Sequence, residues 1–493
     1  MCTANAGIIS KKVFRKGRIN TMYTFIAAIV ILVLGYTFYG KLAQKVFKAA
    51  DTPTPAITME DGVDFMPMPS KKVFLIQLLN IAGTGPIFGA LMGACFGEVV
   101  LLWIVFGTIL AGAIHDYYSG MISLRRNGCS IVEIVGEFLG NKVKAVMIVF
   151  SIILLILVGT VFMTTPAALL GKLTEGFLSA KAWLVIIMVY YILATILPID
   201  KIIGKIYPLF GAVLIFMAVG LLVGLFYHGY TLPEISFVDK HPAGLPVWPY
   251  MFITVACGAI SGFHSTQSPL MARCLKQEKH GRQVFYGAMV AEGIIALIWA
   301  QAGIAFYHNT DALYAAISAV GQSGVVYEVL HTLLGPVGGA LAVIGVVACP
   351  ITSGDTAFRS ARLILADALK WDQKKLNKRL IVAVPLLAVG MILSQLDFAV
   401  IWRYFSWSNQ TLAMVALWAA ATYLSRNADK FWYSLIAAVP AAFMSALIFT
   451  YMLMSKSEFY LGLSASIAYP AGIIFAAVLS FIFWKTCAPK KNA

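Results

Sequence analysis

The chain has 493 residues, 60% of them hydrophobic and 12% charged, with a mean hydropathy of +0.84 and a formal net charge of +15. Soluble domains carry roughly one quarter charged residues, so a string of soluble domains is excluded. Repeated apolar runs of about 20 residues have the length of bilayer-crossing helices. The expected fold class is therefore a single all-α polytopic membrane protein.

The positive charge does not point to nucleic acid, because no loop interleaves basic and aromatic residues; the expected partners are the bilayer and a small solute. The cysteines (Cys2, Cys95, Cys129, Cys257, Cys274, Cys349 and Cys487) show no CxxC or Cys/His ligand spacing and read as small packing residues.

In chain order, residues 1–21 form a basic tail with Lys11, Lys12, Arg15, Lys16 and Arg18 and no small-residue cleavage motif. Met22 then opens a clean hydrophobic run, so the tail reads as an overlong start. Thirteen spans are expected: 22–40, 72–93, 99–124, 143–165, 182–199, 205–227, 249–271, 283–307, 333–353, 379–396, 398–424, 431–454 and 463–485. Lys and Arg cluster in the loops after odd-numbered spans and at the C-terminus. The other loops hold only Lys172, Lys181, Lys240 and Lys456. The positive-inside rule then puts the C-terminus in the cytoplasm and residue 22 outside. The outer loop 308–332 is expected to form a short lid helix. Residues 355–369 read as an amphipathic helix at the membrane surface, with Asp355 as its N-cap and Phe358, Ala361, Leu365 and Leu369 on one face.

Two spans contain helix-breaking stretches. The second reads Gln77-Leu78-Leu79-Asn80-Ile81-Ala82-Gly83-Thr84-Gly85-Pro86. The seventh reads Gly258-Ala259-Ile260-Ser261-Gly262-Phe263-His264-Ser265-Thr266-Gln267-Ser268-Pro269. Glycine permits unwound backbone and proline removes a donor. Such a break must be buried in protein or line a cavity. The two spans are five apart, so they cross in opposite directions. That fits two inverted five-helix repeats, 72–227 and 249–424. Residues 22–71 (a helix and linker) and the two helices of 431–485 are peripheral. Discontinuous helices in matching positions of two halves point to a transporter site. A half-helix N-terminus suits a carboxylate, and freed carbonyls suit a cation. A carboxylate-bearing substrate carried with Na⁺ or H⁺ would use both ends. No other cofactor is expected, and no Walker A motif supplies ATP.

The candidate substrate ligands are Gly83, Thr84, Gly85, Ser261, Gly262, His264, Ser265, Thr266 and Asn409. His115, Asp116 and Glu292 are intramembrane ionisable groups and so candidates for coupling or gating. Asp116 has a structural alternative: an ion pair with Arg125 or Arg126 at the same helix end. An intramembrane hydrolase built on Ser261 and His264 is a remote rival, since no orienting acid lies nearby in sequence. A passive channel or nutrient sensor is the other.

Several blocks resemble the carbon starvation protein A (CstA) family. They include Ile81-Ala82-Gly83-Thr84-Gly85-Pro86-Ile87, Ala113-Ile114-His115-Asp116, Arg125-Arg126-Asn127-Gly128, Cys257-Gly258-Ala259-Ile260-Ser261-Gly262-Phe263-His264 and Ser408-Asn409-Gln410-Thr411. The resemblance runs from Met22 to about residue 425. It implies a bacterial inner-membrane symporter of LeuT-like fold for peptides, used in starvation, with pyruvate as the alternative cargo. In that fold the hydroxyls of Thr352 and Ser353 would face carbonyls of the first broken helix near Ala82, a candidate Na⁺ site. His115 stands where the resemblance leads one to expect glutamine.

Overall fold

The computed structural model describes residues 22–489 except 63, 197–198, 372, 374 and 457–459, and omits the side chains of 199–208. The basic tail expected over 1–21 lies outside the described residues. The helices in order are α1 (Tyr23–Phe47), α2 (Ser70–Ile81), α3 (Gly85–Ala94), α4 (Val100–Arg125), α5 (Ile131–Leu139), α6 (Asn141–Leu173), α7 (Ala180–Ile196) and α8 (Ile199–Tyr227). Then follow α9 (247–254), α10 (Gly262–Ala272), α11 (Glu278–Tyr307), α12 (Thr310–Ala368), α13 (Leu376–Leu393), α14 (Phe398–Asn427), α15 (Phe431–Met454) and α16 (Ala465–Cys487).

Among the described residues nine helices are long and apolar enough to cross a membrane, or ten with the bent pair α2–α3 counted as one span. Three of the thirteen expected spans fall outside that test, each for its own reason. α7 has only 17 residues. The 249–271 span is split into short pieces. α14 is long but carries Ser406, Ser408, Asn409 and Gln410, all buried in protein rather than facing lipid.

Burial separates inner from outer helices. The apolar windows of α4 and α11 are 83% buried, whereas that of α16 is 17% buried. α6 packs along α12, α15 along both α14 and α16, and α10 against α4. Glycines permit the closest approaches: a Cβ on Gly112 of α4 would sit 2.2 Å from the Ala259 carbonyl oxygen.

α12 departs from a straight helix at Gly321 (φ 70°) and Gly335 (φ 71°), left-handed positions that glycine adopts without steric cost. The expected lid region 308–332 is therefore helical and divided. The amphipathic surface helix at 355–369 is not found. These residues continue α12, and Ala357, Phe358, Ala361, Arg362 and Ile364 are buried in protein. Asp355 lies inside the helix, not at its N-cap. The apolar stripe read from sequence packs on protein at Phe358 and Ala361, the Phe358 ring filling the space beside Gly159 and Gly390, while its last member, Leu369, is exposed.

The linker between α1 and α2 forms a strap over one end of the bundle. Met66 N–H and Met68 N–H donate to the carbonyls of Arg273 and Cys274 (3.2 and 3.0 Å), and Thr54 Oγ1 donates to Leu275 O at 2.5 Å. Arg125 ties the same region together, pairing with Glu278 at 2.6 Å and donating to Lys48 O at 2.8 Å. At the opposite end Glu234 accepts from Tyr23 N and Thr24 N at 2.9 Å each, which caps α1.

Candidate functional site

α2 ends at Ile81. Ala82 leaves helical geometry (φ −76°, ψ 50°), and α3 resumes at Gly85 with a 55° bend. The second break runs from Val255 to Ser261, with Gly258 left-handed at φ +86°. The two breaks touch. A Cβ on Gly85 would lie 2.1 Å from Cys257 Cβ, and one on Gly258 would lie 3.3 Å from Pro86 Cα. Buried backbone groups need partners. Thr108 Oγ1 donates to the Gly258 carbonyl at 3.0 Å. Asn409 Oδ1 accepts from Phe263 N–H (2.7 Å) and from Ser261 Oγ (3.2 Å), so α14 caps the start of α10.

Helix resumes earlier than expected. Gly262 to Ala272, Pro269 included, is α10. Ser265 Oγ and Thr266 Oγ1 therefore donate back to Gly262 O (2.6 Å) and Phe263 O (2.7 Å). The expected continuous break from Gly258 to Pro269 is thus shorter, because a proline close to a helix end does not unwind the whole segment.

Beside the breaks lies a chain of four ionisable side chains, all fully buried. Asp116 Oδ1 is 2.8 Å from His115 Nδ1, and Asp116 Oδ2 is 2.9 Å from His264 Nδ1. His264 Nε2 is 3.5 Å from Glu292 Oε2. The chain thus links α4, α10 and α11. Two carboxylates and two imidazoles out of reach of water cannot all be charged independently, because unpaired buried charge is expensive. Their shared proton count is the natural variable of the site. The alternative partners for Asp116 are overturned: Arg125 pairs with Glu278, and Arg126 pairs with Glu137 at 2.7 Å. Ser261 bonds Asn409 while His264 bonds Asp116, so no serine–histidine pair forms.

The remaining candidates sort as follows. Thr84 is fully buried and its Oγ1 has no hydrogen-bond partner among the described residues. A Cβ added to Gly83 would lie 2.6 Å from the Phe162 ring, and one added to Gly262 would lie 2.2 Å from Asn409 O; both glycines serve close packing at the breaks. Ser353 Oγ reaches the first broken helix, at Asn80 O (2.8 Å) and Leu79 O (3.2 Å) rather than at Ala82. Thr352 Oγ1 turns to Cys349 O of its own helix. Sequence reasoning missed Thr108, Cys257 and the Gln77–Ser268 contact (3.3 Å) that bridges α2 to α10. A single threonine in an apolar helix carries no pattern that would mark it.

The fold is similar to that of MhsT solved in complex with L-phenylalanine (TM-score 0.54, 15% identity), over 84% of this chain and 98% of that one. An uncharacterized membrane protein of Haemophilus influenzae is 45% identical over 351 residues, 60% of this chain and 95% of its own length. The peptide transporter CstA of Bacillus subtilis is 28% identical over 86% of this chain and 89% of its own. The pyruvate/proton symporter BtsT of Escherichia coli is 27% identical over 58% of this chain and 49% of its own. The family model described as carbon starvation protein CstA matches residues 20–179 and 172–323, which cover both helix breaks and all four members of the buried chain. On that match the chain belongs to the CstA family of carbon starvation proteins.

Proposed function

We propose that this protein is a secondary active transporter that imports peptides across the bacterial cytoplasmic membrane, in symport with protons, during carbon starvation. The observation that carries the reading is the contact of two interrupted helices beside a buried Asp116–His264–Glu292 chain. Thr84, whose hydroxyl has no partner among the described residues, and the unwound backbone of 82–84 and 255–261 would receive the substrate carboxylate. His115, Asp116, His264 and Glu292 would hold the coupling proton. Segments 72–227 and 249–424 would be the inverted repeats.

The orientation proposed puts residue 22 outside and the C-terminus in the cytoplasm. It rests on the basic loops, and contacts at the two ends agree with which segments it places on a common side. The start of α1 meets the loop 228–248, both assigned outside, and the strap meets 273–279, both assigned inside.

A second cargo reading, pyruvate or another small carboxylate, is favoured by the likeness to BtsT. Na⁺ is the other coupling ion to test. Ser353 Oγ with the Leu79 and Asn80 carbonyls forms a hard-oxygen cluster of the kind such a cation uses.

The experiment is uptake into proteoliposomes of labelled dialanine and of labelled pyruvate, under an inward proton gradient, in Na⁺ or in choline. Accumulation above the outside concentration that collapses with a protonophore supports the reading. Uptake that only equilibrates makes the protein a passive pore, and no uptake of either compound removes both cargo readings.

A further inference from the structure

A cavity lies beneath the strap at the end assigned to the cytoplasm. It measures about 260 Å³, and its polar walls include Asp64, Thr266, Arg273, Ser360, Asp367 and Gln373. Thr266 and Pro269 of its lining belong to α10, the half-helix that also carries His264, and Arg273 follows directly at that helix's end. The cavity and the buried chain are thus joined by one rigid element.

Three of these side chains have unused capacity. Arg273 donates Nε–H to Gly128 O (2.9 Å) and lies 5.3 Å over the Phe65 ring, yet it forms no ion pair with a described residue. Asp367, near the end of α12, forms no close ion pair with a described residue either, and the charge it feels most strongly is that of Arg273 on the facing wall. Ser360 is 5% exposed and its Oγ has no hydrogen-bond partner among the described residues. A guanidinium, a carboxylate and an unpaired hydroxyl around one small space match a ligand with an anionic end, a cationic end and a polar middle. Sites for drug-sized ligands run about 300–1,000 Å³, so this one takes something smaller.

We infer that this cavity is an inner-face release site for a zwitterion, an amino acid or a dipeptide, with Arg273 on its carboxylate, Asp367 on its ammonium and Ser360 on its main chain. The inference rests on the transport reading and its orientation, and it selects among the cargoes. Pyruvate has no cation to offer Asp367, so the site distinguishes a zwitterion from a simple acid.

Asp367→Asn is the cleanest probe, because it keeps the shape and breaks no close ion pair with a described residue, removing only the attraction between Asp367 and Arg273 across the cavity. Efflux and influx are measured separately in oriented proteoliposomes with labelled dialanine and labelled pyruvate, for wild type, Asp367→Asn and Ser360→Ala. Losing one charge-assisted contact raises the inner-face half-saturation for dialanine about tenfold. The outer-face value and any pyruvate transport stay as in wild type. Ser360→Ala shifts the same inner-face value in the same direction. A purely structural role moves both faces together, and that result overturns the inference, as does no change in either variant. Failure of the transport reading is separate: there the wild type moves neither compound.

Discussion

The sharpest test of the buried chain is to neutralise its centre without changing its shape. In Asp116→Asn one amide oxygen still accepts from one imidazole Nδ1–H, and the amide NH₂ donates to the other imidazole once that ring has moved its proton to Nε2. Both contacts of 2.8 and 2.9 Å can therefore persist. The expected loss of stability is about 1 kcal/mol, the net worth of an ordinary hydrogen bond. In Asp116→Ala both rings lose their partner, and breaking a buried pair costs about 3–5 kcal/mol. Transport should behave differently. One pH unit is worth about 1.4 kcal/mol, so a wild-type symporter moving one proton per dialanine accumulates it about tenfold across that gradient without a membrane potential. Asp116→Asn should fold, exchange dialanine across the membrane, and stop at equal concentrations inside and out. The assay pairs denaturant stability with accumulation ratio on the same preparation. An Asn variant that still accumulates dialanine tenfold would show that the carboxylate serves packing alone, and the coupling assignment would be wrong.

Further outcomes are expected elsewhere. Glu292→Gln should bind substrate as wild type does but flatten the pH dependence of uptake; an unchanged profile assigns Glu292 to structure. Thr84→Val removes a hydroxyl with no partner among the described residues, a group worth about 1–3 kcal/mol of penalty, so thermal stability should hold or rise while substrate affinity falls. Gly85→Ala should cost about 1–3 kcal/mol by overpacking against Cys257, and Cys257→Gly in the same chain should recover part of it; simple additivity of the two changes refutes the direct contact. His241 lies between the Phe96 and Tyr314 rings, and burial holds its pKa below the ordinary histidine value. A lowered histidine favours the neutral ring in the fold, so its stability contribution is complete above the unfolded pKa and is lost as pH falls below about 6.5. Protection factors in 228–248, corrected for the intrinsic pH dependence of exchange, should therefore fall on acidification, and His241→Phe should abolish that response.

How much of this was legible in one dimension follows from what each signal is made of. Apolar runs of bilayer length, the basic loops and the Gly- and Pro-bearing interruptions read at 83–86 and 258–269 are local properties. A helix either satisfies its own backbone or does not, and the residues that decide this are neighbours in the chain. The membrane class and the places of the two breaks could therefore be read directly, though the second break ends at Ser261 rather than running on to Pro269. Partnership is not local. Asp116, His264 and Glu292 come from three helices and meet through packing, and Arg125, nearer to Asp116 in sequence, goes instead to Glu278. The stripe on 355–365 showed that one face was apolar but not whether lipid or protein would cover it. Only the tertiary structure decided these matters, because a side chain's partner is set by which helices cross beside it, and that depends on the packing of the whole bundle.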